Sequence, residues 1–323
     1  MLKRRLAHVA THVAALACAL VPFSTFAGND VTAPACSATG TPPLETVEPV
    51  TERPNCKDGK VLSFDQAGVT RYACFNLPPQ AAAAKLPMIV YLHGSLTTPD
   101  SLYRSGRALF ELSRDYPLSA QADAKGFILL APEGRRAKPW ASESAHTGVG
   151  FHWDEWQRNP AENLDVQAID HFIDDVVATG RVDEKRIYVF GWSNGADMAV
   201  LYGAWRAERV AAVGQYAGTD PWSRPPCPVD QPSGRPVPLA LLRNMCDALA
   251  TCPATSSWST TLEGQNWPFR RVDLTLRGKK AEGNPQCVQS CGKARGLYEH
   301  IRWPQKTVLA GDLLEFFKAN PLP

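Results

Sequence analysis

The stretch Ile187-Tyr-Val-Phe-Gly-Trp-Ser-Asn-Gly-Ala196 joins an apolar run to the start of a helical pattern. Its centre, Gly191–Gly195, has the form Gly-x-Ser-x-Gly, in which a sharp turn between a strand and a helix exposes the serine hydroxyl. The glycines remove side chains that would collide across such a turn. The helix start also directs N–H groups towards developing negative charge. In this context the pattern predicts that Ser193 is a nucleophile.

The sequence around this turn predicts an α/β fold. Short apolar runs at Leu86–Leu92, Phe127–Ala131 and Ile187–Phe190 are typical of strands buried on both faces. Between them, apolar residues from Val166 to Val177 recur at helical spacing. Such alternation favours a mostly parallel central sheet with helices on both faces. No linker divides residues 60–323, so we expect them to form a single domain.

A nucleophilic serine needs a base, and the base needs an orienting acid. In folds with this turn the chain order is serine, acid, histidine. His300 is the one histidine that follows Ser193 in the sequence, and it is the predicted base. Asp247 follows the strand-like run Val237–Leu242 and is the favoured acid, because catalytic groups gather at the carboxyl edge of such sheets. Asp220, on the neighbouring loop, is the alternative.

Two backbone amides are expected to stabilise the negative charge that develops on a substrate oxygen. Asn194 directly follows the nucleophile and supplies one of them. The second is expected from Ser95, because His93-Gly94-Ser95 follows the buried strand Leu86–Leu92. The sequence therefore predicts an oxyanion hole made of the Asn194 and Ser95 amides.

The first 27 residues have the pattern of a secretory signal peptide. Lys3-Arg4-Arg5 precede an apolar run that ends at Thr25-Phe26-Ala27, a site with small residues at the two positions that a signal peptidase reads. A transmembrane anchor is the disfavoured alternative, because polar residues interrupt the run and a span needs about 20 mostly apolar residues. We expect a secreted or periplasmic protein without stable membrane insertion, with residues 28–59 as an extended N-terminal segment.

Composition agrees with an exported globular chain. Of 323 residues 44% are apolar and 20% charged, which excludes a disordered tail protein. The formal net charge of +2 gives no reason to expect a nucleic-acid partner. Loss of residues 1–27 would leave eight of the nine cysteines, an even set typical of disulfides. Short loops suggest the pairs Cys246–Cys252 and Cys287–Cys291, and no Cys-x-x-Cys pair supports a zinc site.

Several motifs together resemble a known family. The motifs are Leu92-His93-Gly94-Ser95, Ala131-Pro132-Glu133-Gly134, Val182 to Val189 and Gly191 to Ala196. Their order resembles that in the secreted α/β-hydrolase esterases grouped as polyhydroxybutyrate depolymerase-like, which include feruloyl and acetylxylan esterases. The resemblance covers about residues 60–220 well. It implies hydrolysis of carboxylic esters by Ser193, Asp247 and His300, with no metal or organic cofactor.

Two segments depart from the pattern of that family. Its members usually carry glycines before the histidine, whereas this chain has Tyr298-Glu299-His300. The segment Leu242–Cys246 replaces the usual His-Gly lead-in to the acid. Trp192 adjoins the nucleophile and Trp303 follows the histidine, and tryptophans near such a site can offer flat apolar surfaces. We therefore predict that Trp192 and Trp303 bind the substrate.

The predicted substrate is a carboxylic ester, including polymeric ones such as a polyhydroxyalkanoate-type polyester or a feruloyl or acetyl ester of a plant polysaccharide. A peptidase or amidase on the same fold is one alternative, because the same triad serves both reactions. A noncatalytic polymer- or glycan-binding protein on a decayed hydrolase scaffold is another. The segment Phe151-His152-Trp153-Asp154 either lines the cleft or forms a surface turn.

Overall fold

The computed structural model describes residues 45–46, 53–57, 59–102, 118–138, 150–223, 231, 233–283, 285–287 and 291–323. All of them fall within one compact unit, Ala33–Pro323. The predicted signal peptide and most of the predicted N-terminal segment lie outside the described residues. Within the described part of the chain, no helix has both the length and the apolar character that a membrane span requires.

The elements alternate along the chain as the sequence predicted. The strands are β1 (Glu45–Thr46), β2 (Lys60–Gln66), β3 (Val69–Asn76), β4 (Leu86–Leu92), β5 (Ile128–Pro132), β6 (Arg135–Lys138), β7 (Gly150–His152), β8 (Val182–Trp192), β9 (Ala212–Tyr216), β10 (Leu239–Asn244) and β11 (Phe269–Leu274). The helices are α1 (Leu118–Ala124), α2 (Leu164–Val177), α3 (Asn194–Trp205), α4 (Cys252–Gly264), α5 (Lys293–Ile301), α6 (Lys306–Val308) and α7 (Leu314–Ala319).

An eight-stranded sheet with the order β11-β10-β9-β8-β4-β5-β3-β2 forms the centre of the molecule. Neighbours from β11 to β5 pair in parallel, whereas β3 and β2 are antiparallel additions at one edge. Strands β1, β6 and β7 form a separate small antiparallel sheet. The predicted fold class, a mostly parallel central sheet, is confirmed.

Both faces of the central sheet are covered, which explains the continuous apolar run of β4. Ile89 and Tyr91 pack on the face that α1 and α7 cover. Met88, Val90 and Leu92 pack on the opposite face, against α2 and α3. All five side chains are fully buried. A strand buried on both faces has no polar alternation, and this is the signal that the sequence carried.

Strand β8 begins five residues before the predicted run at Ile187. Its first part pairs Val182 with Leu86, and the register then shifts before Met88 pairs with Ile187. The residues Asp183–Arg186 in between are partly or fully exposed and polar. Their polarity hides the start of the strand from any hydropathy pattern.

A buried ion network joins the antiparallel edge of the sheet to α2 and to the loop after β7. The Asp165 carboxylate accepts hydrogen bonds from Arg71 at 2.9 Å and from Arg135 Nε at 3.2 Å. Arg135 also pairs with Asp154 at 3.0 Å, and the Asp154 N–H donates to Asp165 at 2.7 Å. Burial by itself would raise the pKa of Asp165, but Arg135 and Arg71 hold it below its usual value.

We predict that Asp165→Asn lowers the free energy of unfolding by about 3–5 kcal/mol, because it removes the buried carboxylate that Arg71 and Arg135 share and leaves only the Asp154 pair of Arg135. Urea unfolding followed by far-ultraviolet circular dichroism measures this loss. The control is Asp175→Asn on the same helix, where the carboxylate is 46% exposed and we expect a change within about 0.5 kcal/mol. Equal effects of the two substitutions would contradict the prediction.

Candidate active site

The predicted turn around Ser193 forms between β8 and α3. Ser193 has φ 55 and ψ −125, a conformation that non-glycine residues rarely adopt. A Cβ on Gly191 would collide with the carbonyl oxygen of Gly195, and one on Gly195 would collide with the carbonyl oxygens of Leu92 and His93. Glycine is required at both positions because three backbone segments meet there, and neither glycine has a positive φ.

The structure brings Ser193, His300 and Asp247 together from three separate segments. The Ser193 hydroxyl lies 2.9 Å from His300 Nε2. His300 Nδ1 lies 2.8 and 2.9 Å from the two Asp247 carboxylate oxygens, so this nitrogen carries the proton and donates it. Nε2 is then unprotonated and accepts the hydrogen bond from the serine hydroxyl. Only 6% of the His300 side chain and none of the Asp247 side chain is exposed.

The loop after β10 orients the Asp247 carboxylate. Its Oδ1 accepts hydrogen bonds from the backbone N–H groups of Leu249 at 2.7 Å and of Ala250 at 2.9 Å. The alternative acid, Asp220, instead accepts from the Trp222 N–H within its own loop at 3.0 Å. Of the two carboxylates that the sequence left open, Asp247 is the one that contacts His300.

The residues predicted to form the oxyanion hole adjoin the nucleophile, Asn194 along the chain and the Ser95 loop through Gly94. The N–H of Ser193 itself donates to the Tyr216 carbonyl at 3.0 Å, so Asn194 carries the next N–H of the turn. A Cβ on Gly94 would lie 3.3 Å from the Ser193 Cβ, which places the loop that carries Ser95 beside the hydroxyl. Within the described part of the chain, neither the Asn194 amide nor the Ser95 amide donates to another group.

The segment Phe151-His152-Trp153-Asp154 is not a surface turn, because all of it but the partly exposed Phe151 is buried. His152, Trp153 and Asp154 are at most 1% exposed. The Asn194 side chain accepts a hydrogen bond from the Trp153 N–H at 2.7 Å and donates one to the Trp153 carbonyl at 3.2 Å. His152 Nδ1 lies 3.1 Å from the Ser95 hydroxyl. The sequence predicted a role only for the backbone N–H of Asn194. No spacing pattern in the sequence indicated the contacts of its side chain.

A neutral His93 side chain supports the loop of the predicted oxyanion hole through hydrogen bonds. Its Nε2 accepts a hydrogen bond from the Gly134 N–H at 2.9 Å, and its Nδ1 therefore donates to the Gly94 carbonyl at 2.8 Å. Complete burial lowers the pKa of His93 to about 4. The neutral ring satisfies both contacts, whereas a protonated ring would lose the one from Gly134.

The tryptophans predicted to bind substrate are buried. Trp192 is 3% and Trp303 is 5% exposed, and their rings pack against each other with centroids 6.0 Å apart. The Trp192 indole N–H donates to the His300 carbonyl at 3.1 Å. Trp303 also packs against Tyr91 and Phe190 in the core. Both rings therefore support the site from within and offer almost no surface to a substrate.

Two disulfides connect the segment that carries Asp247 to the segment that precedes α5. The predicted short-loop pairs, Cys246–Cys252 and Cys287–Cys291, are wrong: the bonds are Cys246–Cys291 and Cys252–Cys287. The physical reason is that the later segment returns alongside both cysteines, so that the Cα atoms lie 5.6 Å apart in each of these two pairs. A third bond, Cys56–Cys74, holds the chain before β2 to β3.

We predict that reduction of the disulfides lowers the expected ester hydrolysis before it melts the central sheet, because two of the three described bonds join the segments that carry the acid and the base. The double variant Cys246→Ser/Cys291→Ser should hydrolyse p-nitrophenyl butyrate about tenfold more slowly while its far-ultraviolet circular dichroism stays native. The matched control is Cys56→Ser/Cys74→Ser, which removes a bond between other segments. Parallel loss of activity and of circular dichroism would contradict this prediction.

The lowered pKa of His93 predicts a pH-dependent stability. Between about pH 6.5 and pH 4 the unfolded chain binds a proton at His93 that the folded chain does not bind, so stability falls as the pH falls through this range. His93→Gln removes this contribution. We expect the stability advantage of the wild type over the variant to shrink by about 2–3 kcal/mol between pH 7.5 and pH 4.5 in urea unfolding. His171→Gln, at a ring that is 44% exposed, is the control, and a pH-independent difference for His93→Gln would refute the prediction.

Comparisons with known proteins show which proteins this chain is similar to. Residues 70–221 match the model of the family described as "Esterase PHB depolymerase". The chain is 28% identical over 232 residues to "Putative esterase NocK" of Nocardia uniformis subsp. tsuyamanensis, in an alignment that covers 69% of this chain and 60% of that protein. The chain thus spans about 60% of the length of that curated relative.

Solved structures show the fold. An S-formylglutathione hydrolase from Agrobacterium tumefaciens superimposes with a TM-score of 0.53 at 15% identity, over 84% of this chain and 99% of that chain. A thermostable esterase superimposes with a TM-score of 0.52 at 15% identity, over 82% of this chain and 64% of that chain. The predicted resemblance is therefore confirmed: this chain resembles the polyhydroxybutyrate depolymerase-like esterases over residues 70–221, and it carries that region on the α/β-hydrolase fold.

Proposed function

We propose that this protein is a serine esterase that hydrolyses carboxylic esters through an acyl-enzyme. The observation that carries the proposal is the unbroken hydrogen-bonded chain from Asp247 through His300 to the Ser193 hydroxyl, with distances of 2.8 and 2.9 Å. The serine lies on the turn between β8 and α3 and is partly exposed, while the acid and the base are buried. An assembled triad of this kind favours catalysis over a noncatalytic binding role.

The proposed reaction has two halves. Ser193 Oγ attacks the ester carbonyl carbon while His300 Nε2 takes the hydroxyl proton, and Asp247 stabilises the resulting imidazolium. The Asn194 and Ser95 amides donate to the oxyanion of the tetrahedral intermediate. His300 then gives its proton to the leaving alcohol, and the acyl-enzyme forms. In the second half, water attacks the acyl carbon while His300 takes its proton; the bond to Ser193 Oγ then breaks, His300 returns the proton to Oγ, and the acid is released.

Three exposed apolar side chains that are close in the sequence to the proposed machinery support a substrate with an apolar portion. Leu96, Leu249 and Tyr298 are 48%, 38% and 43% exposed, whereas most large apolar side chains of the described residues are buried. Each lies one or two positions from a residue of the proposed machinery: Ser95, Asp247 or His300. Exposed apolar groups that surround a polar centre are a common feature of ligand sites. They fit a polyhydroxyalkanoate-type polyester or a feruloyl ester better than a small acetyl ester.

We further propose that the protein is exported, with residues 1–27 as its signal peptide. Three disulfides among the described residues support an oxidising compartment, because such bonds are rare in the cytosol. An extracellular or a periplasmic location is compatible with this observation.

The test is a substrate panel with purified wild-type protein and Ser193→Ala. We expect the wild type to hydrolyse p-nitrophenyl butyrate, with kcat lowered by about 10⁴-fold or more in Ser193→Ala because the nucleophile is lost. Polyhydroxybutyrate, feruloylated xylan and acetylated xylan then identify the ester class, and peptide substrates test the amidase alternative.

The matched control in this experiment is Ser257→Ala, at an exposed serine of α4. It should retain wild-type kcat. Turnover retained in Ser193→Ala, with native circular dichroism, would overturn the proposed nucleophile. Hydrolysis of peptides in preference to every ester would overturn the proposed reaction class.

A further inference from the structure

His300 lies on a short helix, which by itself cannot fix the direction of the imidazole. It is the second-to-last residue of α5, whose first turn has no capping side chain. Isolated helices shorter than about 12 residues are marginal in water, so tertiary contacts must determine the position of this helix. In the family that this chain resembles, glycines usually precede the histidine, and here Glu299 stands in that position.

The Glu299 side chain points inward and contacts two other segments. It is 3% exposed. Its Oε2 accepts a hydrogen bond from the Arg277 backbone N–H at 3.0 Å and from Asn244 Nδ2 at 3.2 Å, while Arg302 Nε lies 3.8 Å from its Oε1. Arg277 follows β11 and has φ 65, a conformation that needs support from its surroundings.

Asn244 connects this carboxylate to the segment that carries the acid. Asn244 ends β10 and is 1% exposed. Its Nδ2 donates to the Glu299 carboxylate and lies 3.4 Å from the Glu299 backbone carbonyl, while its Oδ1 accepts from the Cys246 N–H at 2.9 Å. One amide side chain therefore touches the residue before the base and the residue before the acid, Asp247.

A close backbone approach completes the contact between α5 and the acid loop. The Ala248 N–H donates to the Gly296 carbonyl at 3.2 Å. A Cβ on Gly296 would lie 2.6 Å from the Ala248 Cβ, so only glycine allows this approach. This contact fixes the middle of α5, whereas Glu299 fixes the end that carries His300.

We propose that Glu299 is a positioning residue, which through Asn244 and the Arg277 N–H sets the orientation of His300 between Asp247 and Ser193. The proposal rests on the proposed function. A buried carboxylate that keeps charged and polar partners gives a directional constraint that apolar packing cannot give, because hydrogen bonds have preferred angles. Glu299 acts on the geometry of the base and touches neither substrate nor reacting atoms.

The test compares Glu299→Ala and Glu299→Gln with the wild type in p-nitrophenyl butyrate hydrolysis. In Glu299→Ala we expect kcat to fall by about 10- to 100-fold with KM within about twofold, because a base that is misdirected slows the chemical step and leaves substrate contacts unchanged. Glu299→Gln should recover part of kcat, because its amide oxygen still accepts the Arg277 N–H. Glu263→Ala and Glu263→Gln, at an exposed glutamate of α4, are the matched controls and should leave both constants unchanged.

A second readout separates this proposal from the proposed function. The rate at which a fluorophosphonate labels Ser193 depends on the activation of the serine and requires no particular ester. We expect labelling of the wild type and slower labelling of Glu299→Ala, at equal folded fraction by circular dichroism. A labelled wild type with an unchanged rate in Glu299→Ala overturns the positioning role alone. An unlabelled wild type overturns the proposed function together with it.

Further results of the same experiments would also test the positioning role of Glu299. A raised KM with unchanged kcat in Glu299→Ala would assign Glu299 to substrate binding and overturn the proposal. A fall in kcat that only matches the loss of folded protein would show a structural role and also overturn it. If Glu299→Ala does not fold, Glu299→Gln provides the test: we expect a kcat and a labelling rate below those of the wild type, and a folded Gln variant with wild-type kcat, KM and labelling rate would overturn the proposal.

Discussion

The close approach of backbone segments around Ser193 is the constraint on which the site depends. Gly191, Gly195 and the end of β4 meet so tightly that a Cβ at either glycine would collide with a carbonyl oxygen. This packing holds Ser193 at φ 55, a conformation that costs about 1–3 kcal/mol and persists only where the surroundings determine it. The central strands therefore do not only carry the nucleophile, because their backbone contacts also hold it in its strained conformation.

The remaining two residues of the triad depend on a different kind of constraint. Asp247 and His300 lie on loops and a short helix at the carboxyl edge of the sheet, where no β-ladder fixes them. Two disulfides, the Gly296–Ala248 approach and the Glu299–Asn244 contact join these segments instead. Each contact closes a long stretch of chain, and together they replace the rigidity that the sheet gives to Ser193.

Buried polar groups hold the loops after β4 and β7 beside the nucleophile turn. His93 links the loop after β4 to Gly134, and the Asn194 side chain holds the backbone of Trp153. Asp165 and its two arginines fix the start of α2 against the same region. Polar groups in such positions are hydrogen-bonded because an unpaired one would cost about 1–3 kcal/mol. Leu96, which follows Ser95 in the loop after β4, remains 48% exposed.

The sequence by itself determined the features that local pattern encodes. The buried run of β4, the helical spacing of α2 and the turn at Ser193 each lie within about fifteen residues, and the one histidine after Ser193 identified His300. Only the tertiary structure decided between Asp247 and Asp220, paired Cys246 with Cys291 and Cys252 with Cys287, buried Trp192 and Trp303, and brought Glu299 to Asn244. These outcomes depend on which loops return to the same edge of the sheet. The spacing of residues along the chain does not determine which loops meet there, because contacts between distant segments decide it.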